Sequence, residues 1–239
     1  MYRRVLLKLS GEALKEKTGM QIIDVVSLDK IAKSIQSIHD KNIEICVVIG
    51  AGNIWRGKLA KDIGIEDVSA DYMGMLGTVI NAVALSSSLK KHGVSSRVLS
   101  AIPAIDGVTE AYSIEKANSA MKNGEVVFLA GGTGKPFFTT DTAATLRAIE
   151  LNCDAILMGK FGVDGVYTSD PTCDSKAKFL SVITYKQMLE MKLQIMDLSA
   201  VELIKDKDIE IRVFSMSDPN NFRRVIEGRD IGTVCKKGE

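Results

Sequence analysis

Cys46-Val-Val-Ile49 and Val126-Val-Phe-Leu129 are short apolar runs without alternation, and their reading decides the fold. A strand with one wet face alternates polar and apolar residues. A strand apolar on both faces is covered on both sides, as in a parallel sheet flanked by helices. Similar runs recur along the chain and give strand candidates at 5–9, 44–49, 96–101, 126–130, 155–158 and 209–214. Longer amphipathic stretches between them give helix candidates at 28–41, 72–92, 113–122, 142–151, 185–192, 200–206 and 221–227. Ser113 is placed to cap one helix, and Asp218-Pro219 opens the last. The expected fold is α/β: a three-layer sandwich with a mostly parallel central sheet. With four prolines and no Gly/Ser-rich linker, residues 1–239 read as one domain, with a loose division near residue 150.

Composition removes several mechanisms. Lys plus Arg is 31 and Asp plus Glu is 30, a net charge of +1, so there is no basic footprint for nucleic acid. Aromatic residues are only 5%, too few for base-stacking platforms. The two histidines, His39 and His92, lie late in lysine-rich helical stretches and read as surface residues. Ser–His–Asp hydrolysis and histidine metal sites are therefore not expected. None of the four cysteines forms a CxxC pair, so no zinc site is expected, and Cys46 reads as a small core residue. The apolar run after Arg3-Arg4 is three residues long, against the roughly 7–15 of a signal peptide. Tyr72–Leu89 is uncharged over 18 residues, but its asparagine, serines and glycines favour a buried helix over a membrane span. A cytoplasmic protein with no membrane partner is expected.

In open α/β sheets ligands bind at the carboxyl ends of the strands. Here those ends read Lys8-Leu-Ser-Gly11, Gly50-Ala-Gly-Asn53 with Trp55-Arg-Gly57, Gly131-Gly-Thr-Gly134-Lys135-Pro136, and Gly159-Lys-Phe-Gly162. Glycines gathered on one edge let backbone amides approach an anion, and with interspersed Lys and Arg they point to a phosphate-bearing ligand. Lys8 shares a strand face with Leu6 and needs an anionic partner, either a ligand or a carboxylate such as Asp141. Thr140 and Asp141 stand where a helix begins and read as caps, while the hydroxyls of Thr139 and Thr140 could hold a phosphate at the helix N-terminus. The P-loop pattern fails at Leu129 and Pro136, and GxGxxG fails at Trp55.

The blocks Lys8-Leu-Ser-Gly-Glu-Ala13, Gly50-Ala-Gly-Asn-Ile-Trp-Arg-Gly57, Ala70-Asp-Tyr-Met-Gly-Met75, Gly132-Thr-Gly-Lys-Pro-Phe-Phe-Thr-Thr-Asp141 and Val163-Asp-Gly-Val-Tyr-Thr-Ser-Asp-Pro171 occur in order, followed by Val213-Phe214. Together they closely resemble the bacterial uridylate kinases, members of the amino-acid-kinase fold, over essentially the whole chain. The resemblance implies transfer of the γ-phosphoryl group of ATP to UMP, giving UDP and ADP in pyrimidine nucleotide biosynthesis, with Mg²⁺ carried on the ATP phosphates. It implies catalytic roles for Lys8, Arg56 and Asp141. It implies an ATP site of Lys8, Leu9, Ser10, Gly11, Gly52, Arg56, Tyr167 and Asp170, with adenine at Phe161 or Gly162 and Phe161 preferred. The implied UMP site is Ala51, Asp71, Thr133, Gly134, Lys135, Pro136, Phe137, Phe138, Thr139 and Thr140. Residues up to about 150 would form the acceptor-binding lobe and 151–239 the nucleotide-binding lobe. A homohexamer with the 72–92 helix in a dimer contact, and feedback inhibition by UTP, are further implications.

Two departures stand out. Ala51 replaces a usual glycine, which a backbone contact with φ below zero tolerates. GTP-activated members carry a glycine-rich stretch where Lys15-Glu-Lys-Thr-Gly-Met-Gln21 has a single glycine, so weak or absent activation by GTP is expected. Two other readings remain: a sibling kinase for a carboxylate or carbamate, which the Asp71-Tyr-Met-Gly-Met75 block, read as an acceptor loop, disfavours; and a nucleotide- or oxyanion-binding protein without turnover, which Lys8 and Asp141 disfavour.

Overall fold

In this computed structural model, residues 2–16, 21–160, 162–193, 195–218 and 220–238 are described. Strands β1 (Arg4–Leu9), β2 (Glu44–Ile49), β3 (Ser96–Ser100), β4 (Glu110–Ala111), β5 (Val126–Ala130), β6 (Ala155–Lys160), β9 (Val182–Thr184), β10 (Glu210–Ser215) and β11 (Thr233–Lys236) form one sheet, in the order β4-β3-β5-β2-β1-β6-β10-β11-β9. Every pairing in it is parallel except β10 with β11. A small antiparallel hairpin, β7 (Val166–Tyr167) and β8 (Phe179–Leu180), stands beside it.

The period-2 geometry of each strand divides the core into two layers. Val5, Leu7 and Leu9 of β1 pack with Val47 and Phe128 beneath helices α1 (Val25–His39), α3 (Asp67–Lys91) and α8 (Asn221–Ile226). Leu6, Cys46 and Val127 face the opposite layer, built from α4 (Ile114–Lys122), α5 (Thr140–Glu150), α6 (Tyr185–Glu190) and α7 (Leu198–Ile204). The continuous apolar runs are thus buried on both faces, as their lack of alternation requires.

Some local expectations are corrected. The long apolar helix α3 begins at Asp67, five residues before Tyr72, with Glu66 at its N-cap position. Asp71-Tyr-Met-Gly-Met75 is therefore helix rather than loop, because nothing in Val68-Ser-Ala70 stops the helix and Gly74 alone does not break it. By length and composition α3 could cross a membrane, yet Val79, Leu85 and Leu89 are buried against the sheet. The short helix α2 (Lys58–Asp62) and the short strands β4, β9 and β11 escaped the sequence reading because they are too short to show a period. The last helix starts at Asn221 with Asn220 at its cap position, and Pro219 lies outside the described residues. Neither histidine is fully on the surface. His39 contacts the Gly124 carbonyl at 2.8 Å, and His92 pairs with Asp29 at 2.7 Å, each half-buried.

Candidate active site

The parallel strands β2, β1 and β6 end side by side, so their glycine turns meet on one edge. The β1 turn enters a 3-10 turn, Gly11–Leu14, whose Glu12 N–H is accepted by the Ser10 hydroxyl at 3.3 Å. Gly11 lies flush against the turn after β2. A Cβ there would come within 2.4 Å of Asn53 Oδ1 and 2.5 Å of the Gly50 carbonyl, so only glycine fits. Leu9 is buried and accepts the Gly50 N–H at 2.9 Å.

Lys8 projects into the layer of α5, as its strand parity requires, and meets Asp141 with Nζ 2.5 Å from Oδ1. Both side chains are under one-fifth exposed, so this ion pair is far less screened than a surface pair. Thr139, rather than Thr140 or Asp141, caps α5: its hydroxyl accepts the Thr142 N–H at 3.3 Å. Asp141 lies in the first turn, free to face Lys8, and its Oδ2 accepts the Asp197 N–H at 3.3 Å.

Lys160 was not singled out from the sequence, where it read as part of a glycine turn. It is the last residue of β6, on the same strand face as Ile156 and Met158, and its Nζ donates to the Ile195 carbonyl at 2.5 Å. Burial, and then the charge of Lys8, hold its pKa below the usual lysine value against the opposing pull of Asp141. Lys8 pairs with Asp141, and Lys160 stands close enough to feel the charge of both, so two cations and one carboxylate gather at the sheet edge, an arrangement suited to a polyanion. The signal that could have found it is strand register: β1 and β6 are paired, and Lys8 and Lys160 fall on the same face.

Arg56 is placed differently from expectation. Its guanidinium is mostly exposed and bonds Glu12 Oε1 at 2.7 Å, with a long contact from Nε to the Gly52 carbonyl at 3.4 Å. It borders the glycine turns but is not in the Lys8–Asp141 pair.

Beside these turns lies a cavity of about 280 Å³. It brings together the expected residues Ala51, Gly52, Asp71, Phe138, Thr139 and Thr140. Thr133, Gly134, Lys135, Pro136 and Phe137 are not in its wall; they form the rim loop that leads into α5. The wall also holds Trp55, Met75 and Thr78, which the sequence reading missed. Asp71, Gly74, Met75 and Thr78 follow helical i, i+3, i+4, i+7 spacing, which would have revealed them had α3 been started early enough. Ala51 has no positive φ, so the alanine is tolerated as expected. Its methyl group instead packs on Gly77 of α3, where a Cβ would stand 2.8 Å away.

The rim loop is tied to α3 at both ends. Gly131 N–H donates to the Thr78 hydroxyl at 2.8 Å, and Phe137 N–H donates to Asp71 Oδ2 at 2.7 Å. Phe137 takes φ +70°, a left-handed conformation costly for a bulky residue, and its ring is exposed. Arg147 of α5, buried beneath the Tyr112 ring at 4.0 Å and bonded to Glu150 at 2.6 Å, reaches back to the Gly132 carbonyl at 3.4 Å.

On the other side of the sheet edge, Tyr167 donates to Asp164 at 2.7 Å and packs edge-on against Phe179. Asp170 Oδ1 accepts the Thr172 N–H and hydroxyl at 2.8 and 2.6 Å, which holds its carboxyl below the usual range. Phe161 lies outside the described residues, as do residues 17–20 of the lysine-rich segment after Leu14. Among the described residues no three His, Cys, Asp or Glu side chains converge as a metal site.

Comparison with known proteins accords with this arrangement. The amino acid kinase family model matches residues 3–215. A uridylate kinase of Mycoplasmopsis pulmonis (strain UAB CTIP) is 47% identical over 229 residues, covering 96% of this chain and 94% of that protein. The crystal structure of UMP kinase from Bacillus anthracis superposes with a TM-score of 0.96 at 41% identity, covering 100% of this chain and 97% of that one. UMP kinase from Ureaplasma parvum gives a TM-score of 0.93 at 37% identity, covering 99% and 100%. The chain belongs to the amino acid kinase family, and within it to the uridylate kinases.

Proposed function

We propose that the protein transfers the γ-phosphoryl group of ATP to UMP, giving UDP and ADP, in pyrimidine nucleotide biosynthesis. The observation that carries this reading is the Lys8–Asp141 ion pair at the sheet edge, next to a cavity with Asp71 in its wall. The UMP phosphate is already an anion at neutral pH, so transfer requires alignment and charge neutralisation rather than a general base. Lys8 and Lys160 bind the transferring phosphoryl group; Asp141 orients Lys8; the amides of Gly11 and Gly52 supply fixed dipoles. Arg56 swings from Glu12 onto the phosphates when nucleotide binds. Asp71 accepts from the ribose hydroxyls of UMP with the oxygen that Phe137 leaves free, and Ala51 with the loop from Thr133 to Thr140 encloses the remainder.

ATP lies over Lys8, Leu9, Ser10 and Gly11, with its nucleoside against Tyr167 and Asp170 and adenine at Phe161. The donor set fits Mg²⁺ arriving on the nucleotide, since two lysines stand here and, among the described residues, no carboxylate cluster converges. When bound, the ion neutralises phosphate charge. On this reading residues up to about 150 form the acceptor lobe and 151–239 the nucleotide lobe. The enzyme acts in the cytoplasm as a homohexamer with α3 in a dimer contact. UTP inhibits by occupying the UMP cavity and extending its phosphates toward Lys8, and GTP activates weakly or not at all.

The test is ADP release from ATP with each nucleoside monophosphate, and with carboxylate and carbamate acceptors, in parallel. Release with UMP well above every other acceptor is expected. Equal or greater release with a carboxylate or carbamate would transfer the assignment to a sibling kinase.

A further inference from the structure

Deep in the molecule, two side-chain amides face each other between the glycine turn after β2 and helix α3. Asn81 Nδ2 donates to Asn53 Oδ1 at 2.8 Å, and Asn53 Nδ2 donates to Asn81 Oδ1 at 3.0 Å. Each amide has one further donor bond, and both go to backbone: Asn81 to the Gly50 carbonyl at 2.8 Å, Asn53 to the Ile22 carbonyl at 2.7 Å. Asn81 is 0% exposed and Asn53 6%. We propose that Asn53 and Asn81 are positioning residues for phosphoryl transfer: the reciprocal pair locks the Gly50–Gly52 turn between the donor turn at Gly11 and the helix that carries Asp71. The proposal rests on the kinase reading above.

One peptide unit, Gly50–Ala51, links the pair to the site. In a trans peptide the C=O and the following N–H point in opposite directions. The Gly50 carbonyl is drawn inward to Asn81, so the Ala51 N–H is turned away from the core. Among the described residues no acceptor bonds the Ala51 or Gly52 N–H, and both residues line the acceptor cavity. The pair thus fixes the direction of the Ala51 donor and leaves both N–H groups unspent beside a cavity that can take anionic oxygens. Asn53 Oδ1 also forms the surface against which Gly11 packs, so the same amide sets the spacing of the two turns. Two buried amides are costly unless every donor is met, and here all four N–H groups are. An apolar pair would fill the space, but it could not fix the direction of a carbonyl.

The experiment uses Asn53→Ala, Asn81→Ala, the double variant, and Val79→Ala as a core control on the same helix. The kcat for UMP-dependent ADP release is corrected for folded fraction, and amide hydrogen exchange is followed over residues 50–57. Each single variant is expected to lose at least fivefold in kcat. The double variant should fall within twofold of the worse single, because both break one unit. Exchange over 50–57 should quicken at least tenfold, while β10 stays unchanged. Val79→Ala should lower the melting temperature with kcat within twofold. If the asparagine variants behave like Val79→Ala, with smaller kcat losses and unchanged local exchange, the pair is only packing and the proposal fails. Should Asn81→Ala not fold, Asn53→Asp, which keeps the acceptor and loses both donors, is read by the same criteria. Absence of UMP-dependent turnover in the unaltered protein would sink the kinase reading instead, and local exchange would still judge whether the pair holds the turn.

Discussion

Lys8 is one-sixth exposed and touches a single carboxylate, so its replacement tests chemistry more than stability. Lys8→Ala fits the strand and should fold, with kcat reduced about 10²–10³-fold, as for loss of one preorganised transition-state partner. Near-normal turnover by the folded variant would make the lysine purely structural. Lys160 offers a pH signature. Its pKa lies below the usual lysine value because of burial and Lys8, so its charge is lost early as pH rises, and activity that needs the charge falls with it. Lys160→Arg keeps its charge, so its alkaline limb should move to higher pH in a kcat profile taken from neutral to about pH 10. Ionisation of the uracil ring is common to both enzymes and cancels in the comparison; coincident limbs would remove Lys160 from the phosphate site. Asp71→Asn removes charge-assisted bonds worth about 1.5–3 kcal/mol. The KM for UMP should rise about tenfold or more with that for ATP nearly unchanged. The reverse pattern would move Asp71 to the donor site.

The turns after β1 and β2 act as one element because they interlock. Gly11→Ala would drive a methyl group into the Gly50 carbonyl, which cannot move aside as a flexible side chain can. The expected result is a loss of about 1–3 kcal/mol in stability by denaturant titration, together with impaired ATP binding. An unperturbed variant would mean the turns are looser than described. How far the elements could be read in advance follows from their length and surroundings. The buried parallel strands were legible because they are apolar on both faces, and Lys8 was legible as a charge set between apolar neighbours in the first of them. Asp141 followed as its partner. The short strands β9 and β11 carry too few residues to show a period, and β11 runs antiparallel to β10. Asp71 was identified but misplaced, since the helix was started at Tyr72 whereas α3 is already continuous from Asp67. Lys160 and the ion pair from Arg56 to Glu12 depend on which strand ends become neighbours. Spacing along one chain does not state that.

At the scale of the whole molecule, α3 presents an outward apolar stripe of Val68, Tyr72, Leu76 and Ile80, with Leu59 of α2 and Ile63 just after α2 also exposed. Such a contiguous patch suits the subunit contact proposed for this helix. Leu76→Glu should lower the mass read by light scattering, whereas a mass of 25.9 kDa for the unaltered protein would remove the hexamer. The central claim is that one edge of the sheet aligns ATP and UMP for direct transfer between phosphates. It is tested most directly by following a mixture of ATP, UMP, Mg²⁺ and the protein by ³¹P NMR. The γ-phosphorus signal of ATP should decay as the β-phosphorus signal of UDP grows in equal amount, with no inorganic phosphate. Decay into inorganic phosphate, or no decay with UMP present, would contradict it.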